Sequence, residues 1–142
     1  MRNGLITAPI IISNLSTLVS AAGTPYFPSL ENKILLIEEE CTSLALEERN
    51  LRHLELMGVF DQISGLLISK PEELDAVNAP FSYDQLILEI LNEHGNYPIA
   101  LNFDCGHTVP SFTIAQNSII RFDVSQSEGV TFTICERMTQ SS

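Results

Sequence analysis

The stretch Asn102-Phe103-Asp104-Cys105-Gly106-His107-Thr108-Val109-Pro110 sets a carboxylate, a thiol and an imidazole behind a short apolar run, Ile99-Ala100-Leu101. His107 follows a glycine at what reads as a strand end, and loops at strand ends are where catalytic groups concentrate. A histidine working as a general base uses a carboxylate that accepts its Nδ1 proton, fixes the tautomer and stabilises the imidazolium. The candidates are Glu38, Glu39 and Glu40, which close the run Lys33-Ile34-Leu35-Leu36-Ile37. Glu38 is the first charge after four apolar residues, so it sits where the chain leaves the core. Glu39 and Glu40 read as a solvated strand end.

A nucleophile is harder to find. There is no G-x-S-x-G elbow, and the serines fall at helix caps, turns and the C-terminal tail. Cys105 lies two residues before His107, so in an extended segment both side chains point to one face and a Cys/His pair is conceivable. Such close neighbours rarely achieve the required hydrogen bond, and a small buried thiol is the plainer reading. Asp104, Cys105, His107 and Cys41 match no standard zinc spacing, and no glycine-rich phosphate loop is present, so neither a metal nor a cofactor is expected. His53, among leucines in a helix, and His94, at a helix C-terminus where the dipole favours a cation, read as structural.

The elements that must position these residues follow from hydrophobic patterning. The chain has 142 residues, 44 % of them hydrophobic and 18 % charged, enough for one domain (1–142) with a genuine core. Residues 5–13 read as a buried strand with Pro9 implying an edge or a bulge. A short helix follows over 15–22, capped by Ser13 or Asn14 and closed by Gly23. Strand 33–38 is apolar enough to be covered on both faces. Helix 43–57 carries Leu44, Leu51, Leu54 and Met57 at helical spacing, with Ser43 and Gly58 as caps. Strand 64–69, helix 83–94 (capped by Ser82 and ended by Gly95) and strand 99–103 come next. Residues 118–124 and 130–135 alternate about the SQSEG turn as a hairpin. The short first helix and the antiparallel C-terminal third favour an α+β sandwich or partly closed barrel.

The formal net charge of −11 opposes nucleic-acid phosphates and anionic membrane surfaces, and no apolar run is long enough to span a bilayer. Gly4 to Ile12 faintly resembles a signal segment, but Pro9 and Ser13-Asn14 interrupt it. Three widely spaced cysteines, Cys41, Cys105 and Cys135, suit a reducing cytoplasm rather than a disulfide scaffold.

Several segments together resemble one family. Asn14-Leu15-Ser16-Thr17-Leu18 and Ala22-Gly23-Thr24-Pro25-Tyr26-Phe27-Pro28 are similar to the "GGNLSTL…GTPYWP" segment of LD-carboxypeptidases, serine peptidases that include the microcin C self-immunity branch. Lys33 to Glu39 resembles their "LFIED" strand. Arg49 to Leu54 and Gly58 to Ile68 resemble the next helix and strand, and Asn102 to Pro110 resembles "DFGHT.P", closest to the microcin-immunity form. Two places depart from the pattern: Ile12-Ser13 replaces Gly-Gly, and Ile114-Ala115-Gln116-Asn117 replaces a "PIG" turn.

The resemblance implies a swivelling β/β/α-type domain, a mixed sheet or partly closed barrel with two main helices. It implies a Ser-Glu-His triad in which Glu38 matches the glutamate and His107 the histidine. The serine would sit in a separate N-terminal α/β domain, so this chain alone would be inactive. The implied partners are that domain and a peptide or aminoacyl-nucleotide-like substrate. A patch of exposed apolar surface at Tyr26-Phe27 and near His107 would mark where the domain packs. The competing reading is a free-standing, non-catalytic module that forms a homodimer or binds peptide.

Overall fold

The computed structural model describes residues 1–76, 79–107, 109, 111–125, 127 and 129–136. Strand β1 (Gly4–Asn14) leads into the short helix α1 (Leu15–Ser20), then β2 (Ile34–Glu38), α2 (Leu44–Leu56), the one-turn α3 (Val59–Gln62), β3 (Gly65–Ser69), α4 (Tyr83–Ile90) and β4 (Ile99–Phe103). The hairpin β5 (Ile119–Ser125) and β6 (Gly129–Glu136) is the last of the described elements. Residues 126 and 128 of its SQSEG turn lie outside the described residues.

Local chemistry accounts for the helix starts. Asn14 Oδ1 accepts from Thr17 N at 2.9 Å, Ser43 Oγ accepts from Leu46 N, and Ser82 with Gln85 forms a reciprocal capping box at α4. Gly58 adopts φ +71°, which stops α2 and lets α3 begin directly. Helix α4 is shorter than expected, ending at Ile90 rather than His94. Beyond Ile90 the turn tightens to bonds three residues apart, Asn92 N–H to Glu89 O and His94 N–H to Leu91 O. The Arg2 guanidinium donates to the carbonyls of Leu91 (2.6 Å), His94 (2.8 Å) and Gly95 that are left at this end.

The six strands form one mixed sheet in the order β4-β3-β2-β1-β5-β6. Pairs β1–β2, β2–β3 and β3–β4 are parallel; β1–β5 and β5–β6 are antiparallel. Pro9 therefore does not mark an edge strand, because β1 is central. It falls where the ladder changes partner: Gly4 to Pro9 pair with β5, and Ile10 to Asn14 pair with β2. Ile10 N–H goes to Ser118 O, so by strand alternation the Pro9 nitrogen faces the β2 side just ahead of the first parallel pair, where no ladder donor is required.

Alternation along the strands divides the core in two. Leu35, Ile37, Leu66 and Ile68 face the helices, where Leu51, Leu54, Phe60, Leu86 and Ile90 cover them. Ile34, Leu36, Leu67 and Ala100 face the other way and meet Ile10, Ile120 and Phe122 inside the curl of the sheet. The curl nearly closes. Arg2, just before β1, exchanges two 3.0 Å backbone bonds with Ile99 of β4, and Phe103 of β4 lies 5.2 Å from Phe132 of β6, the opposite edge. The fold is thus an α+β half-barrel with two main helices, α2 and α4.

The two departures from the family pattern meet in space. Gln116 reaches back to Ile12, accepting from its N–H at 2.9 Å and donating to its carbonyl. A side-chain amide thereby takes the place of a strand beyond the start of β5.

Candidate active site

Parity fixes which way each residue at the end of β2 points. Ile34 and Leu36 face the interior of the curl, so Glu38 and, if the backbone stays extended, Glu40 do the same, while Glu39 faces the helices. The backbone does stay extended: Glu40 bridges Glu72 in parallel fashion and Cys41 N–H donates to Glu72 O. Cys41 then turns with φ +50°.

The loop after β4 brings His107 to this row. Asn102 takes φ +59° and its amide reaches the Asp84 carboxylate, bending the strand end. Cys105 turns inward and is 7 % exposed, within the interior cluster. Gly106 has φ +89°, and a Cβ there would lie 2.9 Å from Glu38 Oε2 and 3.1 Å from Glu38 Cβ. Only glycine lets the loop rest on the Glu38 side chain. Thr108 and Pro110 of the same motif lie outside the described residues.

His107 Nδ1 lies 2.9 Å from Glu38 Oε2 and 3.2 Å from Glu40 Oε2. Ionised carboxylates only accept, so Nδ1 carries the hydrogen and the neutral ring keeps its lone pair on Nε2. The hydrogen bond to Glu38 raises the His107 pKa above its ordinary value, against the opposing effect of desolvation; the charges of Glu38, Glu40 and Glu39 add to the rise. Glu38 is largely covered, at 14 % side-chain exposure, whereas the imidazole is half exposed. Although 69 positions separate them, the acid and the imidazole are direct neighbours.

Glu39 and Glu40 correct the expectation of a solvated strand end. Glu40 joins His107. Glu39 accepts from Asn14 Nδ2 at 2.6 Å, from Ser16 N at 2.9 Å and from Ser16 Oγ, pinning α1 to the end of β2. Burial acts to raise the Glu39 pKa, but these hydrogen bonds outweigh it and leave the carboxyl below its ordinary value. Behind it, Glu47 is fully buried, accepts from Tyr83 OH at 2.9 Å and is raised to about 7, chiefly by burial.

The other candidates fall into structural roles. The Cys105 thiol is pushed up by desolvation, which opposes formation of a thiolate nucleophile. Among the described residues no group of His, Cys, Asp and Glu converges as a metal site, so Asp104, Cys105, His107 and Cys41 do not combine. His94 lies beyond the end of α4, between Asp61 (2.9 Å) and Glu55 (3.2 Å), joining three elements. Tyr26 is 86 % exposed, but Phe27 is partly buried and packs on the core. Val109, Phe112 and Val130 are exposed near the His107 loop, where Phe103, Phe112, Ile114, Phe132 and Ile134 line a groove of about 330 Å³.

Comparison with known proteins gives this geometry a context. Residues 7–121 match the profile of the LD-carboxypeptidase C-terminal domain. The chain belongs to this family. The microcin C7 self-immunity protein MccF of Escherichia coli is 32% identical over 113 residues, which are 79% of this chain and 33% of that protein. A solved structure of MccF in complex with glutamyl sulfamoyl guanosine superposes with a TM-score of 0.83 at 29% identity, covering 95% of this chain and 39% of MccF. A muramoyltetrapeptide carboxypeptidase from Oxalobacter formigenes shares the fold, with a TM-score of 0.78 at 19% identity over 92% of this chain and 45% of that one. The LD-carboxypeptidase domain described here spans about a third of the length of the curated relatives it matches. Among the described residues no helix is long and apolar enough to cross a membrane.

Proposed function

We propose that this domain supplies two members of a Ser-Glu-His triad, with Glu38 as the orienting acid and His107 as the general base, for hydrolysis of an amide. The serine belongs to a separate N-terminal α/β domain that packs over the exposed Val109 and Phe112 region. The observation that carries the reading is the 2.9 Å contact between Glu38 Oε2 and His107 Nδ1. It leaves Nε2 as the ring nitrogen that can receive a proton.

In the reaction, Nε2 takes the proton of the serine hydroxyl as the oxygen attacks the substrate carbonyl. The imidazolium formed returns that proton to the leaving amine as the C–N bond breaks. A water that gives its proton to Nε2 then attacks the acyl-serine, the proton returns to the serine oxygen as the carboxylic acid leaves, and Glu38 remains ionised throughout. The substrate is a peptide next to a free carboxylate or an aminoacyl-nucleotide-like molecule, by kinship with MccF, whose complexes contain glutamyl sulfamoyl guanosine and aspartyl sulfamoyl adenosine. The setting is the cytoplasm, in keeping with three free cysteines.

The test combines the chain with an N-terminal domain from a family member and measures cleavage of aspartyl sulfamoyl adenosine. Neither half alone should turn over. The mixture should regain activity, and His107→Ala should abolish it as completely as loss of the serine, because triad members act as a unit. Hydrolysis by the isolated chain that survives Glu38→Gln and is lost with Cys105→Ala would overturn the assignment in favour of a Cys/His mechanism.

A further inference from the structure

Two carboxylates, not one, converge on the same nitrogen. Glu38 and Glu40 sit two residues apart on extended backbone, so both side chains leave the same face. The second position is held by the backbone itself, through the Glu40–Glu72 bridge and the Cys41 N–H to Glu72 O bond of 3.1 Å. The two carboxylate oxygens stand 2.9 and 3.2 Å from His107 Nδ1. The geometry points to Glu40 as a second positioning residue for His107, sharing with Glu38 the tasks of holding the ring in the Nδ1–H tautomer and stabilising its cationic form. Glu40's role in catalysis rests on the triad reading above, but the pairing itself is a property of this chain.

The physical logic is that two anions beside one neutral ring repel each other, and the repulsion is relieved when the ring becomes an imidazolium. The pair therefore favours the state in which His107 holds the serine proton. The groups facing the ring are Glu38 from β2 and Glu40 from the segment after it, with Glu39 contributing at longer range. The two acids differ in exposure: the Glu38 side chain is 14% exposed and that of Glu40 is 40%. The outer pair should be screened by salt and the inner one much less.

The decisive measurement is the NMR titration of the His107 ring in the full chain, for wild type, Glu38→Gln, Glu40→Gln and the double variant, at low and at roughly 1 M salt. Nitrogen shifts report which ring nitrogen holds the hydrogen in the neutral form. The midpoint should fall in both single variants, further for Glu38→Gln, and furthest in the double variant. The drop caused by Glu40→Gln should shrink at high salt. Glu38→Gln should keep the Nδ1–H tautomer, and only the double variant should release it. In the two-domain enzyme, Glu38→Gln should accordingly lose less than the roughly 10⁴-fold expected for a lone orienting acid, and the double variant should approach that loss. A Glu40→Gln titration superimposable on wild type at low salt, or a tautomer lost in Glu38→Gln alone, overturns the role of Glu40. If instead the titrations behave as expected while His107→Ala leaves the two-domain activity intact, the catalytic reading fails and the pairing stands.

Discussion

Gly106→Ala tests the site through its backbone rather than its chemistry. Two costs arise. The first is conformational: φ +89° is a region that residues with a Cβ rarely enter, and left-handed backbone costs roughly 1–2 kcal/mol for a non-glycine residue. The second is local: the new methyl would stand 2.9 Å from Glu38 Oε2, 3.1 Å from its Cβ and 3.2 Å from its Cγ. The carboxylate end can swing aside, but the Cβ belongs to a strand end and cannot. Glu38 must therefore rotate or the loop must lift, and either breaks the 2.9 Å contact with His107. For a chain of this size the conformational term alone lowers Tm by about 3–8 °C. Differential scanning calorimetry reads that loss, and an NMR titration of His107 reads the second effect as a fall in its midpoint toward the ordinary histidine range. A loss of Tm with an unchanged His107 titration would refute the claim that Gly106 exists to seat the loop on Glu38. An unchanged Tm would refute the strain argument.

Three further outcomes follow from buried and paired groups. Glu47 is raised to about 7 from its ordinary 4.5, so between those values the folded state binds the proton that the unfolded chain has released; stability should fall by roughly 3 kcal/mol as pH rises through this window. Urea unfolding of wild type against Glu47→Gln isolates that slope, which the variant should lack. His94 is raised from its ordinary 6.5, first by the hydrogen bond to Asp61 and then by Glu55, so its contribution is complete below about 6.5 and lost as pH climbs through the folded midpoint. Asp61→Asn should therefore destabilise the chain at pH 6 more than at pH 9, as measured by thermal melts at both. Cys105→Ala should cost about 1 kcal/mol in urea unfolding through the small cavity it leaves, with the His107 titration unmoved, because the thiol packs in the core and takes no part in the pairing.

Much of this protein could be read along the chain. The apolar run Ile34 to Ile37 announced a strand covered on both faces, and the leucines of α2 announced a helix with one buried side. Ser43 and Ser82 marked helix starts because a side-chain oxygen followed by good helix formers is a local signal. Glu38 and His107 stood out because each is polar at the end of an apolar strand. What the chain order could not supply is anything that depends on distance between remote segments. The meeting of Glu38 and His107 arises because the loop after β4 crosses back past β3 to the end of β2. Gly106 owes its necessity to that crossing, and Gln116 bonds to Ile12 across 104 positions. Pro9 looked like an edge because a missing N–H is costly inside a sheet; only the change of partner at residue 10 reveals where a central strand tolerates it. Glu39 and Glu40 read alike as solvent-facing charges, since in sequence they are two identical neighbours. Strand parity sends one to α1 and the other to His107, and parity acts only once the backbone beyond Glu38 is held extended by its partner at Glu72.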